Sequence, residues 1–376
     1  MDFTIMIPLG PKLIALFHLQ PIQFSYMVAS YTIAAGIFGF FGSLLVDRYD
    51  RKKALLFCYL GFILGNISCA TANDFYTLLF SRTLTGAFGG VLTSIIYAMV
   101  GDLIPYERRA AAIGKILLAF SFTSLLGVPV GMYLANNLHW QSPFMMLSVL
   151  SCSFFFLGMK MLPSLTGHID RSPTIGEELS RVGKILSDNN HLRALLVVIL
   201  LITGQFTVIS FLSTFSVTNL GFKITDVKYI YMLAGVSYIL FLPLIGRMAD
   251  KFGKLRIFTI FIFASTIPIY IITNLTQIPL ALVLVLTTIF FTTVGGRMVP
   301  VTTMVSAAAD PENRGSFLSI YAAVQQLSTG FAVYLSGSIL IKTEAGSLTN
   351  FHYVGFLAIA SSLLCLFVAR KLKARS

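Results

Sequence analysis

Long apolar runs separated by short polar segments make up most of this chain. A helix that crosses a bilayer needs about 20 mostly apolar residues. Eleven runs are full-length or nearly so: residues 24–46, 54–72, 75–101, 116–138, 143–159, 194–220, 229–246, 257–273, 278–309, 315–341 and 351–369. A shorter run, residues 3–17, opens the chain. The pattern predicts an all-α membrane protein of twelve spans, numbered 1 to 12 in chain order.

Composition agrees that lipid surrounds these runs. The chain is 56% hydrophobic and only 11% charged, whereas soluble proteins hold about 25% charged residues. The net charge of +12 comes from basic residues in a few short loops, so nucleic acid is not an expected partner. The four cysteines lie in apolar runs without CxxC spacing. We therefore expect no metal site and no cofactor.

The basic residues also predict the orientation. Of the 27 Lys and Arg residues, 21 fall in the loops after the even-numbered spans or in the C-terminal tail, and only four fall on the other side. Loops rich in Lys and Arg stay in the cytoplasm. This asymmetry predicts an even number of spans with both termini cytoplasmic.

Two loops repeat one charge pattern at an offset of 203 residues. Residues 43–53 (SLLVDRYDRKK) follow span 2, and residues 246–256 (GRMADKFGKLR) follow span 8. Repetition at half-length is typical of transporters built from two related bundles. We expect an N-terminal bundle at residues 1–162, a cytoplasmic linker at 163–191 and a C-terminal bundle at 192–376.

Three charged residues are predicted to lie within the membrane: Arg82, Arg297 and Asp2. A buried arginine is costly, so each should face a cavity or an acid, or extend its side chain to the interface. Asp2 lies within the membrane only if span 1 begins about ten residues upstream of Met1, as the 203-residue offset suggests. Burial raises the pKa of a carboxyl and a nearby arginine lowers it, so a carboxyl subject to both effects can take up and release protons. Asp2 is therefore the candidate proton carrier, with two alternatives: a fixed counter-ion for an arginine, or a surface acid.

Several motifs resemble signatures of the major facilitator superfamily. The loop at 246–256 resembles its G-x-L-a-D-R-x-G-R-R/K motif, and the loop at 43–53 matches less well, with Asp50 at the second glycine. Arg82 and Gly86 resemble its R-x3-G signature in span 4, and residues 102–109 resemble the turn that follows. The resemblance extends over essentially the whole chain.

Span 5 carries a further partial match. The sequence GVPVG, with Gly127, Pro129 and Gly131, resembles the antiporter signature G-P-x-x-G-G of the drug and sugar efflux branch. That resemblance implies a bend in span 5 that seals the two halves against leakage. The alternative is an ordinary kinked membrane helix.

The resemblance also implies a fold and a set of site residues. Two six-helix bundles would be related by a pseudo-two-fold axis along the membrane normal, with spans 1, 4, 7 and 10 lining a central path. Gln205 in span 7 and Gln325 in span 11 then join Arg82 and Arg297 as candidate substrate contacts; hydrogen bonds between helices are the alternative. Six charged residues are candidates for a cytoplasmic gate, with a solvated turn as the alternative: Asp47, Arg51, Asp102, Arg109, Asp250 and Lys254.

The function expected from these features is proton-coupled export of a small organic molecule by alternating access. One alternative is an uptake permease for a sugar, an organic acid or a peptide; another is a membrane receptor or assembly partner that does not transport. An enzyme is not expected, because no span holds a cluster of catalytic residue types. The expected setting is a monomer in the cytoplasmic membrane of a bacterium, with substrate, protons and lipid as partners.

Overall fold

The computed structural model describes residues 2–46, 48–104, 122–166, 175–309 and 314–374. Their α-helices are α1 (Asp2–Met6), α2 (Gly10–Leu16), α3 (Pro21–Val46), α4 (Arg51–Thr71), α5 (Phe75–Leu103), α6 (Val128–Asn137), α7 (Ser142–Met161), α8 (Ile175–Ser187), α9 (Asn189–Thr218), α10 (Val227–Phe252), α11 (Lys254–Thr273), α12 (Leu280–Ala307), α13 (Arg314–Ile339) and α14 (Phe351–Ala369). A π-helical turn (Thr123–Gly127) precedes α6, and a 3-10 turn (Ile224–Asp226) precedes α10. A short antiparallel hairpin pairs β1 (Ile341–Lys342) with β2 (Leu348–Thr349).

These helices follow the predicted spans. Span 1 is α1 and α2, spans 2 to 4 are α3 to α5, span 5 is the π turn with α6, and span 6 is α7. Spans 7 to 12 are α9 to α14, and α8 lies in the predicted linker. Nine helices among the described residues are long and apolar enough to cross a membrane. Span 1 is not one of them, because a turn at residues 7–9 interrupts it.

Local capping chemistry sets several helix boundaries. Asp74 accepts hydrogen bonds from the backbone N–H groups of Tyr76 and Thr77 at the start of α5, which completes a capping box. Asp188 caps α9 in the same manner. Between α10 and α11, Gly253 adopts a φ of +94°, a conformation that strongly favours glycine. A single residue can therefore reverse the chain there.

Two ends of the molecule can be distinguished by their loops. The basic end carries the loops near residues 48–50 and 253 and the tail after α14, and the opposite end carries the loops near residues 72–74 and 274–279. Close to the opposite end, one continuous hydrophobic core includes residues of both halves, such as Phe24, Phe211 and Phe351. Toward the basic end the described residues form separate cores, one around Ile95 and one around Phe317. The halves are thus joined more extensively at the opposite end.

Small residues let helices of the two halves approach closely. A Cβ atom added at Gly337 would collide with Ser25, and one added at Gly330 would collide with Ile33, so α3 and α13 lie almost in backbone contact. A Cβ at Gly235 of α10 would lie 2.5 Å from the backbone nitrogen of Leu125 in the π turn. Close approach of this kind is typical of membrane helix interfaces.

Candidate functional site

A buried ion pair joins span 1 to span 4. Arg82 Nη1 of α5 donates to Asp2 Oδ1 of α1 at 2.8 Å, and the two side chains are 0% and 4% exposed. Separating such charges in a low-dielectric interior costs several kcal/mol per ion. Of the two counter-ion alternatives considered from the sequence, Asp2 therefore pairs with Arg82 and not with Arg297.

The pair does not satisfy all of its own polar atoms. Asp2 Oδ2 and Arg82 Nε and Nη2 are shielded and form no hydrogen bond with the described residues. The guanidinium carbon lies 4.5 Å from the ring centroid of Tyr31 and 5.9 Å from that of Phe144. Aromatic faces stabilise a cation without neutralising it. One carboxylate oxygen is therefore available to accept a proton or a hydrogen bond from another donor.

The ion pair lies next to the seam between the two halves. Phe3, adjacent to Asp2, stacks on Tyr31 with ring centroids 6.0 Å apart and contacts Phe206 of α9 at 5.9 Å. Gln205 precedes Phe206 and is half-buried, and its Oε1 accepts no hydrogen bond from the described part of the chain. A chain of aromatic rings thus runs from the ion pair across the seam to Phe206, one residue from Gln205.

The glycine four residues after Arg82 has a clear packing role. A Cβ atom at Gly86 would overlap the carbonyl oxygen of Tyr31, and one at Gly90 would overlap that of Ala35. Only glycine allows α3 and α5 to approach this closely, and the approach holds the Tyr31 ring against the guanidinium. The R-x3-G pattern therefore specifies both the charge and the close contact beside it.

Arg297 is also fully buried, in α12, but its surroundings differ. Its Nη1 donates to Ser362 Oγ at 2.7 Å and to Ser265 Oγ at 3.3 Å, and its Nη2 donates to the Leu201 carbonyl at 3.5 Å. No carboxylate among the described residues pairs with it. Neutral groups from three helices of the C-terminal half, two hydroxyls and one backbone carbonyl, hold this charge instead.

The remaining substrate candidate, Gln325, and its neighbour Gln326 are both half-buried on α13. The backbone carbonyl of Gln325 accepts a hydrogen bond from Thr329 one turn later. No described contact brings either side chain to the ion pair. Their role in substrate binding stays a prediction.

The gate candidates are only partly described. Asp47 and Arg109 lie outside the described residues, and so does the side chain of Asp102. Asp250 is exposed and Lys254 half-buried, and the structure gives neither an ion pair within the described residues. Arg51 is buried at the start of α4. The gate stays a prediction.

Asp50, which replaces a glycine of the loop signature, holds two segments together. Its carboxylate accepts hydrogen bonds from Ser164 Oγ at 2.6 Å, from the Leu165 backbone N–H at 3.0 Å and from the Lys52 N–H at 2.9 Å. The Ser164 hydroxyl and the two N–H groups hold the pKa of Asp50 below its usual value, against the opposite effect of burial. The loop after span 2 is thus fastened to the segment that follows span 6.

The glycines and proline of span 5 lie beside span 1. Gly127 ends the π turn and Pro129 lies in the first turn of α6. A Cβ atom at Gly131 would lie 2.5 Å from the Cδ1 atom of Ile5, which is one turn from Asp2. Whether this segment seals the transport path stays a prediction.

Sequence reasoning missed the neutral partners of both arginines. Phe144 lies against Arg82, while Phe3 and Phe206 continue the chain of rings from Tyr31. They are three of 33 phenylalanines, and the sequence gives no sign that these rings meet. Ser265 and Ser362 are likewise ordinary serines in apolar helices. Their roles depend on how separate helices are rotated against one another. No group of three or more His, Cys, Asp or Glu side chains suited to a metal occurs among the residues described.

Comparison with known proteins supplies independent information. The family model described as Major Facilitator Superfamily matches residues 1–333 and, in a second match, residues 194–375. An uncharacterised MFS-type transporter of Bacillus subtilis, YwfA, is 25% identical over 244 residues, and the match spans 62% of this chain but only 58% of that protein. A probable sugar efflux transporter of Helicobacter pylori strain 26695 is 26% identical over 361 residues, covering 94% of this chain and 87% of that protein.

A solved structure confirms the architecture. A D-xylose–proton symporter superposes with a TM-score of 0.75 at 18% identity, over 99% of this chain and 94% of that one. At this identity the likeness is evidence for the fold alone. The predicted all-α fold of two six-helix bundles is confirmed, while the domain boundaries stay a prediction.

Proposed function

Because this chain belongs to the major facilitator superfamily of membrane transporters, we propose that it exports a small organic molecule by proton-coupled alternating access. It is a multi-pass membrane protein and a transporter rather than an enzyme. The observation that carries the proposal is the buried ion pair between Asp2 and Arg82 beside the seam of the two halves. Asp2 is the proton carrier, and Arg82 is the partner whose charge it balances.

The charge balance links protonation to a change of shape. With Asp2 ionised the pair is neutral overall and tolerates burial. When Asp2 takes a proton, Arg82 is left as an uncompensated buried cation, a state that costs about 3–5 kcal/mol if nothing replaces the carboxylate. Water or a substrate must then enter to solvate the guanidinium. Proton binding therefore favours an open, hydrated site over a closed one.

The packing of the two halves supports alternating access. Among the described residues the halves share one core at the opposite end, while toward the basic end their cores are separate except where Phe40 of α3 packs against the core around Phe317. We infer from this arrangement a state open toward the basic end. Closing the basic end and opening the other requires α3 to move against α13, and α10 against the π turn. Glycine at Gly330 and Gly235 keeps those contacts nearly free of interlocking side chains.

The substrate class we propose for first testing is a sugar. Some relatives carry the name of probable sugar efflux transporters, and the groups near the pair suit a small polar molecule. The Gln205 amide offers an unused acceptor for a hydroxyl donor, and the aromatic rings of Phe3 and Tyr31 offer flat apolar faces.

The decisive experiment reconstitutes the full chain in liposomes and measures uptake of a panel of radiolabelled monosaccharides under an imposed pH gradient. Export by antiport predicts accumulation in an acid lumen, as protons leave while sugar enters. Accumulation in an alkaline lumen would instead indicate symport and favour the uptake permease. Absence of both sugar and proton flux would favour a receptor or assembly partner.

Two variants then test the proton carrier. D2N should abolish gradient-driven accumulation while sugar exchange without a gradient persists, because the neutral amide cannot cycle a proton. D2E should retain partial coupling. D74N is the matched control, since it removes one carboxylate charge from an exposed helix cap. Full coupling in D2N would remove Asp2 from the mechanism and leave it as a fixed counter-ion.

We further propose that the basic end faces the cytoplasm of a bacterial cell and that one chain is sufficient for transport. In a cysteine-free background, K223C should react with an impermeant maleimide on intact cells, and K251C only after permeabilisation. The reverse pattern would contradict the orientation. Light scattering of the purified chain should give the mass of one protomer, 41.3 kDa after subtraction of detergent.

A further inference from the structure

A groove at the basic end combines positive charge with an apolar wall. It is open, has a volume of about 830 Å³, and is lined by Leu255, Arg256, Thr259 and Ile260 of α11 and by Arg370 immediately after α14. It therefore lies where two helices of the C-terminal half leave the apolar part of the molecule. Arg256 ends the repeated loop at 246–256, but none of the gate or substrate candidates named above lines the groove.

The two arginines of the groove have no protein counter-ion in the part of the chain the structure describes. Both are exposed, and neither side chain forms an ion pair or a hydrogen bond with a described residue. Lys251 and Lys371 lie close by in sequence and add to the positive charge. A phosphate diester that enters the groove would accept charge-assisted hydrogen bonds from a guanidinium group, and both arginines line the groove.

The apolar wall identifies the anion as part of an amphiphile. Ile260, one turn beyond Arg256, is 50% exposed, and Phe367, just before Arg370, is 58% exposed. The ammonium group of Lys371 lies 4.4 Å from the centroid of the Phe367 ring, at the boundary between the charged and apolar zones. A free phosphate ion would use only the arginines. A phospholipid would use the arginines for its headgroup and the apolar side chains for an acyl chain.

We propose that this groove binds an anionic phospholipid, with its phosphate between Arg256 and Arg370 and an acyl chain along Ile260. Basic pockets between membrane helices on the cytoplasmic side suit acidic headgroups. Bound lipid would bridge α11 and α14 and so stabilise the C-terminal half as one body. The inference does not depend on which substrate is transported or on whether Asp2 carries the proton.

The test measures thermal unfolding of the purified full chain in neutral detergent as a function of added lipid. Phosphatidylglycerol should raise the unfolding temperature, whereas phosphatidylcholine and inorganic phosphate should not. The double variant R256Q/R370Q should weaken the apparent affinity for phosphatidylglycerol by about tenfold or more. K53Q/K184Q is the matched control, because it removes the same charge from exposed residues of the basic end that do not line the groove.

Each outcome decides the proposal. A lipid response retained in K53Q/K184Q and lost in R256Q/R370Q supports the groove. Equal losses in both variants would indicate a diffuse surface potential and overturn it, and an equal response to inorganic phosphate would exclude the lipid. If the arginine double variant does not fold, the single variants R256Q and R370Q replace it, and each should show an intermediate loss.

Discussion

The two halves of this transporter each bury one arginine completely, but they stabilise it in different ways. Arg82 in the N-terminal half faces a carboxylate and two aromatic rings, whereas Arg297 in the C-terminal half faces two serine hydroxyls and a backbone carbonyl. A carboxylate can change its charge and a hydroxyl cannot. Under the proposed mechanism, the N-terminal half contains the group that responds to protons, while the C-terminal arginine keeps a constant environment.

The repeated loops differ in a parallel way. Asp50 and Gly253 occupy equivalent positions 203 residues apart. Asp50 fastens its loop to the segment after span 6, while Gly253 makes a tight turn through a positive φ. Among the described residues, the first copy of the loop is therefore bonded to the segment after span 6, and the second copy makes no such bond to that segment. Duplicated sequences have kept the fold and diverged in what each copy contacts.

The largest expected difference follows from removing each arginine in turn. R82Q leaves the Asp2 carboxylate buried without a partner and should reduce the free energy of unfolding by about 3–5 kcal/mol. R297Q leaves no acid unpaired, and Ser265 and Ser362 keep hydrogen bonds to carbonyls of their own helices. Its cost should be about 1–2 kcal/mol. Denaturant unfolding in detergent measures both.

The double variant R82Q/D2N is the control for that comparison. It should recover a large part of the stability lost in R82Q, because the uncompensated carboxylate is then absent. Equal destabilisation by R82Q and R297Q, with no recovery in the double variant, would contradict this comparison. It would show that the Asp2 carboxylate does not make the loss of Arg82 more costly, and that the two arginines differ only in packing.

A smaller effect is expected from replacing the glycines that allow neighbouring helices to approach each arginine. G86A places a methyl group against the Tyr31 carbonyl and should force α3 away from α5, at a cost of about 1–3 kcal/mol. G204A places a methyl group 2.6 Å from Ser362 Oγ and 2.9 Å from the Ala358 carbonyl oxygen, contacts less severe than the overlap at Gly86. It should cost less. Thermal unfolding compares the two.

Function separates these two variants further. G86A should also reduce gradient-driven transport, since it disturbs the ring that lies over Arg82, while G204A should leave proton coupling intact. The control G246A adds a methyl group at ordinary van der Waals distance from Val299 and should be close to neutral. A coupling defect in G204A equal to that in G86A would contradict the division of roles between the halves.

The smallest expected effect is the pH dependence of the contact that Asp50 makes with the segment after span 6. The lowered pKa of Asp50 means that its contribution to stability is complete above the carboxyl's ordinary value of 3.8 and is lost as the pH falls through the lower folded value. Protease cleavage near residues 163–166 should therefore increase only below about pH 3.8 in the native chain. In D50G, which copies the second loop, cleavage should be fast at every pH. A native profile unchanged in D50G would show that Asp50 does not hold this segment.

The sequence by itself determined the spans, the family motifs and the rarity of charge within the membrane. Lipid imposes a local rule, because each run of about 20 residues that crosses it must be apolar whatever its neighbours are. Arg82, Arg297 and Asp2 stand out against that rule without any structure. The turn that interrupts span 1 at residues 7–9 was not foreseen, although Pro8 and Gly10 lie there.

Only the tertiary structure decided which groups meet. Asp2 and Arg82 are 80 residues apart, and Asp50 and Ser164 are 114 apart. The hydroxyls around Arg297 come from helices that are distant in sequence. A side chain's partner depends on the rotation and depth of two packed helices, and these follow from the fit of many small contacts across the whole bundle. Apolar periodicity carries little of that information when every face of a helix is apolar.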